Sequence, residues 1–253
     1  MIRFLILRSL NLLSVTFSVA FAVLGGPSME IQAQTLSTAS LPLPAIHDAE
    51  TFRVTFEPPR EGKPDDTAEG ASRSIGCAGG CMIPLVPAIS PRLTATPYPT
   101  FFVYIPQSTT ETVFFALLDE NEVTHYQTKI PIANRSGILS VKLPDTLPPL
   151  EVDKTYQWAF VMIGEQGLRP GDPSVRGEVR RVQLADGLMS QIESKTWVER
   201  AALYGKHGIW YDTLASLAQA RQQQPSNSTL IATWQDLLNS VGLEAIATQP
   251  LLP

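Results

Sequence analysis

The feature that most constrains this chain is a change of hydrophobic period near Leu184. Between residues 101 and 184, short runs rich in β-branched and aromatic residues follow one another, each with the length of a strand. After Leu184 the apolar residues recur at helical spacing instead. Strands followed by helices predict an α+β fold, in which a C-terminal helical element packs on a sheet structure built by the preceding segment.

Six of these runs are predicted strands, and acidic or small polar turns separate them as hairpin turns do. They comprise residues 101–105, 112–118, 123–130, 138–143, 155–163 and 177–183. An earlier segment, 51–57, alternates in the same way and is ended by Pro58 and Pro59. About seven short strands favour an antiparallel β-sandwich, although a partly open barrel has the same periodicity.

The region after Leu184 predicts a short first helix and then a three-helix element. Asp186 is placed to cap the short helix, which extends through Glu193. Thr196 and Glu199 have the spacing of a capping box, which predicts a helix through residue 206. A second helix is expected over 209–224, where Pro225 stops it, and a third over 228–239.

The first two helices of this element carry the most specific pattern in the chain. Their large and small residues resemble those of one tetratricopeptide repeat of about 34 residues, which packs two helices closely against each other. The matching positions are Trp197, Ala201, Tyr204, Gly208, Trp210, Leu217, Ala220 and Pro225. Because a single repeat cannot bury its own apolar face, we expect it to pack on the sandwich or on a partner, with 228–238 as a capping helix. An ordinary three-helix packing element is the alternative interpretation.

The N-terminus has the composition of an export signal. Arg3 and Arg8 precede an apolar run over 10–24, and small residues suited to cleavage lie at Ala22, near the end of this run, and at Ala33. We therefore expect a signal peptide over 1–33, a periplasmic or extracellular location and no stable membrane anchor after cleavage. An uncleaved signal anchor is the alternative. The predicted organisation continues with a Pro/Gly-rich lead-in over 34–100, the sandwich core over 101–184, the helical element over 185–247 and a tail over 248–253.

Cys77 and Cys81 are the sharpest chemical candidates. Two cysteines four positions apart, with two glycines between them, suit a short disulfide loop in an oxidising compartment. Two alternatives remain: free thiols, or a redox or Cu(I) site with Met82 as a soft third ligand.

Trp210, Tyr211 and Asp212 are the candidate partner-binding residues. Three consecutive helical positions span about 200° of arc, so they are not expected to face the core together. If Trp210 is buried, Tyr211 or Asp212 should lie near the surface as a contact point.

Composition and motifs argue against several functional classes. A net charge of −5 argues against nucleic-acid binding, which requires clustered cations. No nucleophile motif, zinc-protease motif or phosphate-binding loop occurs, and none of the three histidines has a ligand at a suitable spacing. The paired carboxylates Asp65–Asp66 and Asp119–Glu120 suggest solvated turns rather than acid–base chemistry, and Glu151 suggests exposed surface at the start of a strand. We expect no catalytic residues and no cofactor.

Landmarks along most of the chain resemble one protein family. They include Pro84-Leu85-Val86-Pro87, Phe101-Phe102-Val103-Tyr104, Tyr156-Gln157-Trp158, Gly208-Ile209-Trp210-Tyr211-Asp212 and Val241-Gly242-Leu243-Glu244. Together they are similar to the cyanobacterial family known as domain of unknown function 928, over roughly residues 51–247. The resemblance implies an exported protein whose family accompanies tetratricopeptide and caspase-like CHAT proteins. It supplies no catalytic residues to carry over.

These observations favour a non-enzymatic protein-interaction module with a protein partner. Two alternatives stay open at this point. One is an extracytoplasmic redox or copper-handling protein that uses Cys77, Cys81 and Met82. The other is a carbohydrate-binding sandwich, which rests only on analogy of fold.

Overall fold

The computed structural model describes residues 53–59, 80–88, 92–132 and 135–253. The predicted signal peptide and most of the predicted lead-in, with Cys77, lie outside these residues. Residues Ala49–Pro253 form one compact unit. Within the described residues, no helix has both the length and the apolar character needed to cross a membrane.

The described residues form eight strands, then four α-helices and one 3₁₀ turn. The strands are β1 (Ile83–Pro84), β2 (Leu93–Thr94), β3 (Thr100–Ile105), β4 (Thr112–Leu118), β5 (Thr124–Pro131), β6 (Gly137–Lys142), β7 (Thr155–Ile163) and β8 (Ser174–Arg181). The helices are α1 (Asp186–Glu193), α2 (Trp197–Lys206), α3 (Trp210–Gln223) and α4 (Ser228–Ser240), with the 3₁₀ turn at Glu244–Ile246. The predicted α+β class is confirmed.

The strands form two sheets, which gives a sandwich-like architecture. The larger sheet has the order β2-β8-β7-β4-β5, and the smaller sheet has the order β1-β3-β6. All pairs are antiparallel except β2 with β8. Because β5 and β6 lie in different sheets, the segment between them crosses from one sheet to the other and is not the hairpin turn that its sequence suggested.

The smaller sheet is buried on both faces, which explains why β3 is a nearly continuous apolar run. On one face Phe101 packs against Phe115 of the larger sheet, with 5.1 Å between the ring centroids. On the other face Phe102 meets Trp234 of helix α4 at 6.5 Å. Strand β4 faces the core on one side only, so its buried residues alternate with half-buried ones.

The predicted strand at 51–57 is wrong for the part that the structure describes. Residues 53–59 are not a strand and run along the end of helix α2, where the Glu57 amide donates to the Gly205 carbonyl at 3.0 Å. The alternating pattern still has a physical basis, since Val54 is buried and Phe56 packs edge-on against Trp210 at 5.0 Å. The periodicity identified the buried face of the segment, but it did not identify a helix as its neighbour.

The helix ends follow the sequence signals with one exception. Thr196 and Glu199 form the predicted capping box at the start of α2. Asp186 does not cap α1, because it is already the first helical residue, and Ala185 occupies the cap position. Gly208 adopts a φ of +71° in the turn between α2 and α3, a conformation that favours glycine.

The last residues of the chain pair with the smaller sheet. Pro250 accepts from the Ile138 amide at 2.7 Å, and the Leu252 amide donates back to Ile138 at 2.8 Å. The segment predicted as a tail over 248–253 therefore pairs with the start of β6 at Ile138.

Candidate functional site

The predicted contact surface at Trp210, Tyr211 and Asp212 does not exist as a surface. All three side chains are buried, with exposed fractions of 0%, 2% and 6%. The expectation assumed that one side of helix α3 faces solvent. It fails because other parts of the chain enclose the start of α3 on several sides, so none of the three side chains offers an exposed contact point in this fold.

Each of the three residues has its own partners in the interior. Trp210 donates from Nε1 to the Leu85 carbonyl at 2.8 Å. The hydroxyl of Tyr211 accepts from Trp158 Nε1 and donates to the Glu178 carbonyl, both at 2.7 Å. Burial raises the pKa of Tyr211. These bonds fasten the start of α3 to the larger sheet and to the segment that contains β1.

Asp212 is a buried carboxylate held by strand β2. Its Oδ2 accepts from the Thr94 hydroxyl at 2.8 Å and from the Ala95 amide at 3.0 Å. Burial raises the pKa of Asp212 to about 6, although these hydrogen bonds oppose the shift. The carboxylate makes no ion pair within the described residues, so its bonds to the β2 segment serve to dock that segment on α3.

The repeat-like residues of α2 and α3 are mostly interior packing positions. Ala201 of α2 and Leu217 and Ala220 of α3 are buried. Gly205 has no room for a side chain, because an added methyl group would collide with the Thr55 carbonyl. Tyr204 is half-buried, and burial raises its pKa to about 12. Pro225 follows the end of α3 at an exposed position.

Trp197 departs from the expected packing. Its side chain is 37% exposed, and the Arg200 guanidinium lies 4.8 Å from its ring centroid. It therefore does not fill the space between α2 and α3, as the repeat pattern suggested, but lies on the outer side of α2.

The cysteine region is only partly described. Cys81 is half-buried beside Gly80, and Met82 is buried in the main apolar core. No cysteine among the described residues is free, and these residues contain no cluster of three or more side chains suited to a metal ion. Because Cys77 lies outside the described residues, the disulfide between Cys77 and Cys81 stays a prediction.

A groove at one end of the larger sheet brings together residues that lie far apart in the sequence. It has a volume of about 300 Å³ and lies where β4 ends and β7 begins. Its walls come from the β4–β5 turn, the start of β5 and the loop before β7. The lining residues are Asp119, Glu120, His125, Pro148, Pro149, Glu151, Lys154 and Tyr156.

The polar groups of the groove are engaged in local structure. Asp119 Oδ1 accepts from the amides of Asn121 and Val123, both at 2.9 Å, which closes the turn. Lys154 bonds to Glu151 at 2.9 Å, and this hydrogen bond raises the pKa of the lysine. With three carboxylates against one ammonium group, the acidic side chains dominate the groove.

The loop before β7 holds the other wall through its main chain. His125 Nε2 lies 3.1 Å from the Pro148 carbonyl oxygen, and the Tyr156 hydroxyl accepts from the Glu151 amide at 3.1 Å. The rings of His125 and Tyr156 meet edge-on at 5.3 Å. Pro148 and Pro149 restrict the backbone here, so the wall is preformed.

Sequence patterns do not reveal this groove, because its parts are about 30 residues apart in the chain. In the sequence, Asp119–Glu120 and Glu151 have the pattern of separate, exposed carboxylates. The antiparallel pairing of β4 with β7, in which Leu118 faces Gln157, is what brings them together. To find the groove from the sequence, one would have to know that β4 and β7 are neighbours. Strand periodicity does not show which strands pair.

Comparisons with known proteins bear on the family and not on an activity. No curated protein matches the chain. One similar solved structure is that of Astrotactin-2, described as a conserved vertebrate-specific and perforin-like membrane protein involved in neuronal development. The two are 10% identical, with a TM-score of 0.27, and the match covers 66% of this chain and 36% of that one. The chain thus spans about a third of the length of that structure.

The family comparison covers most of the chain. The profile of the family described as Domain of Unknown Function (DUF928) matches residues 68–251. This range contains every strand and helix named above, the groove and the enclosed start of α3. The chain therefore belongs to the DUF928 family.

Proposed function

We propose that this protein is a non-enzymatic protein-interaction module that binds its partner at the groove between the β4–β5 turn and the loop before β7. The observation that carries the proposal is that exposed apolar side chains flank an acidic, preformed groove. Val123, in the β4–β5 turn, is 61% exposed, and Val152 is exposed beside Glu151. Apolar contacts surrounded by polar groups are typical of protein interfaces.

The engagement of the groove residues favours binding over catalysis. A general acid or base must reach a proton on a substrate, whereas Asp119 closes a turn and Glu151 pairs with Lys154. The Tyr156 ring is buried, so it offers no flat face on which a sugar could stack. Burial of Met82 in the apolar core likewise weakens the alternative of a copper-handling site.

The proposal includes an exported protein with a tetratricopeptide-like helical hairpin. Arg3, Arg8 and the apolar run after them support export. The small buried residues Ala201 and Ala220 support the repeat-like packing of α2 on α3. In this proposal the hairpin packs on the protein's own sheets and has a structural role, while the groove has the binding role.

Site-specific photo-crosslinking tests the binding role. A photoreactive phenylalanine analogue replaces Val123 in one variant and Leu168 in a matched control, and both are expressed in the native host. Leu168 is 59% exposed in the β7–β8 loop, at the opposite end of the larger sheet. We expect one discrete crosslinked partner from position 123 and none from position 168.

Charge reversal then tests the acidic wall. Glu120→Lys should reduce crosslinking from position 123, whereas Glu244→Lys, an exposed carboxylate far along the chain, should leave it unchanged. Absence of any partner at position 123, or equal crosslinking from both positions, would refute the proposal.

A further inference from the structure

Among the described residues, β5 is the longest strand at the outer edge of a sheet. The other outermost strands are shorter: β1 and β2 have two residues each, and β6 has six, with residues 250–252 bonded to its Ile138. Strand β5 has eight residues and pairs only with β4 among the described residues. An exposed edge of this length presents unpaired amides and carbonyls to a further strand.

The pairing register identifies which main-chain groups point outward. The Ile132 amide donates to the Glu111 carbonyl at 2.7 Å, and pairing continues antiparallel along β4. Because bonded and non-bonded pairs alternate in an antiparallel ladder, Tyr126 and Thr128 bond to β4 while Gln127 and Lys129 point away from it. The N–H and C=O groups of Gln127 and Lys129 therefore face the open side.

On the inner face of the larger sheet, the apolar side chains of β5 are only partly covered. Tyr126 and Ile130 pack against the main core yet remain only half-buried. Tyr126 approaches Phe115 with 6.2 Å between ring centroids. An added strand with apolar residues at alternate positions would cover the exposed sides of Tyr126 and Ile130.

The charges near the beginning of β5 indicate which side chains an added strand would have there. His125, the second residue of β5, lines the groove, and Glu120 and Glu151 lie in the same groove. The one lysine that lines the groove, Lys154, is already bonded to Glu151. A partner strand that reaches the groove would therefore gain most from a basic side chain there.

We propose that β5 accepts an extended peptide segment of a partner protein by β-strand addition, with alternating apolar residues and an arginine or lysine that enters the groove. This proposal rests on the interaction function proposed above and specifies its partner. Hydrogen bonds from Gln127 and Lys129 would supply main-chain affinity. The carboxylates of the groove would favour a peptide with a positively charged side chain.

Two synthetic peptides test this pairing on the mature full chain. The first is nine residues long, alternates valine with threonine and has arginine at both ends. The second has glutamate in place of both arginines. Fluorescence anisotropy should give saturable binding of the arginine peptide and at least about tenfold weaker binding of the glutamate peptide.

Variants at Gln127 separate main-chain pairing from side-chain contacts. Gln127→Pro removes an outward N–H without removing a bond to β4. It should weaken the binding of the arginine peptide about tenfold. Gln127→Ala keeps the N–H and should bind within about twofold of the wild type. Thermal unfolding checks that both variants fold.

Hydrogen exchange on the wild-type protein gives a measurement that needs no variant. Saturating arginine peptide should slow exchange at the Gln127 and Lys129 amides, while the Tyr126 and Thr128 amides, already bonded to β4, should change little. Equal binding by the proline and alanine variants, or no binding of the arginine peptide at millimolar concentration, overturns strand addition. Self-association that Gln127→Pro abolishes also overturns it, because the occupant of the edge is then a second copy.

The failure of this proposal is distinguishable from the failure of the proposed function. If strand addition fails while position 123 still crosslinks one partner, the groove binds proteins by another mode. If position 123 also captures nothing, the interaction function itself fails.

Discussion

The indole Nε1 of Trp158 donates a 2.7 Å hydrogen bond to the hydroxyl oxygen of Tyr211, and this bond joins strand β7 to helix α3. Both side chains are almost fully buried. The same hydroxyl donates to the Glu178 carbonyl, so one atom links a helix to two adjacent strands. The family landmark around Trp210 is thus a structural joint and not a contact surface.

Removal of this hydroxyl should destabilise the fold. Tyr211→Phe leaves the Trp158 indole N–H without its acceptor, so we expect a loss of about 1–3 kcal/mol in the free energy of unfolding. Tyr126→Phe is the matched control, since its hydroxyl makes no hydrogen bond among the described residues. Urea unfolding of both variants provides the comparison, and a Tyr211→Phe effect no larger than that of the control would contradict the assigned role.

Asp212 should give the protein a specific pH dependence. Burial raises the pKa of this carboxyl from 3.8 to about 6, so the native state retains its proton at pH values where the unfolded chain has lost it. The contribution of Asp212 to stability is therefore fully present below about pH 4 and is lost as pH rises through about 6. This contribution of Asp212 to the free energy of unfolding is at most about 3 kcal/mol.

The measurement is the difference in unfolding free energy between the wild type and Asp212→Asn at several pH values. Asparagine cannot ionise, so the variant should gain stability relative to the wild type between about pH 4 and pH 7. A difference that is constant over this range would mean that Asp212 does not titrate as the structure implies.

Gly177 should not tolerate a side chain. An added methyl group would overlap the indole of Trp158, its partner across the β7–β8 ladder, and shifting a buried tryptophan typically costs about 1–3 kcal/mol. Gly187 in helix α1 has open space around it, so Gly187→Ala should stabilise by about 0.5–1 kcal/mol. In thermal unfolding, the midpoint temperature Tm should therefore fall for Gly177→Ala and rise for Gly187→Ala. Shifts of the same sign in both variants would contradict this packing.

Local patterns predicted the larger elements well. The predicted strands at 112–118 and 155–163 have the bounds of β4 and β7, because one buried face produces a clear alternation of apolar residues. The helix from the capping box was also confirmed, since that signal is contained within four residues. Elements with a local physical cause could be predicted from the sequence.

Features that depend on distant neighbours could not be predicted in this way. Residues 53–59 have strand-like alternation but contact a helix, and only the fold brings Gly205 to Glu57. Asp212 lies where helical geometry leaves a side chain outside the local core, and the β2 segment then covers it. The groove has the same cause, since the pairing of β4 with β7 assembles its walls.

Hydrogen exchange of the native complex tests the central claim most directly. The protein is isolated with its bound partner from the native host, and its amide exchange is compared with that of the free chain. We predict slower exchange in the β4–β5 turn, along β5 and in the loop before β7, with helices α2 to α4 unchanged. Protection confined to the outer side of α2 around Trp197, with no change at the groove, would contradict the account.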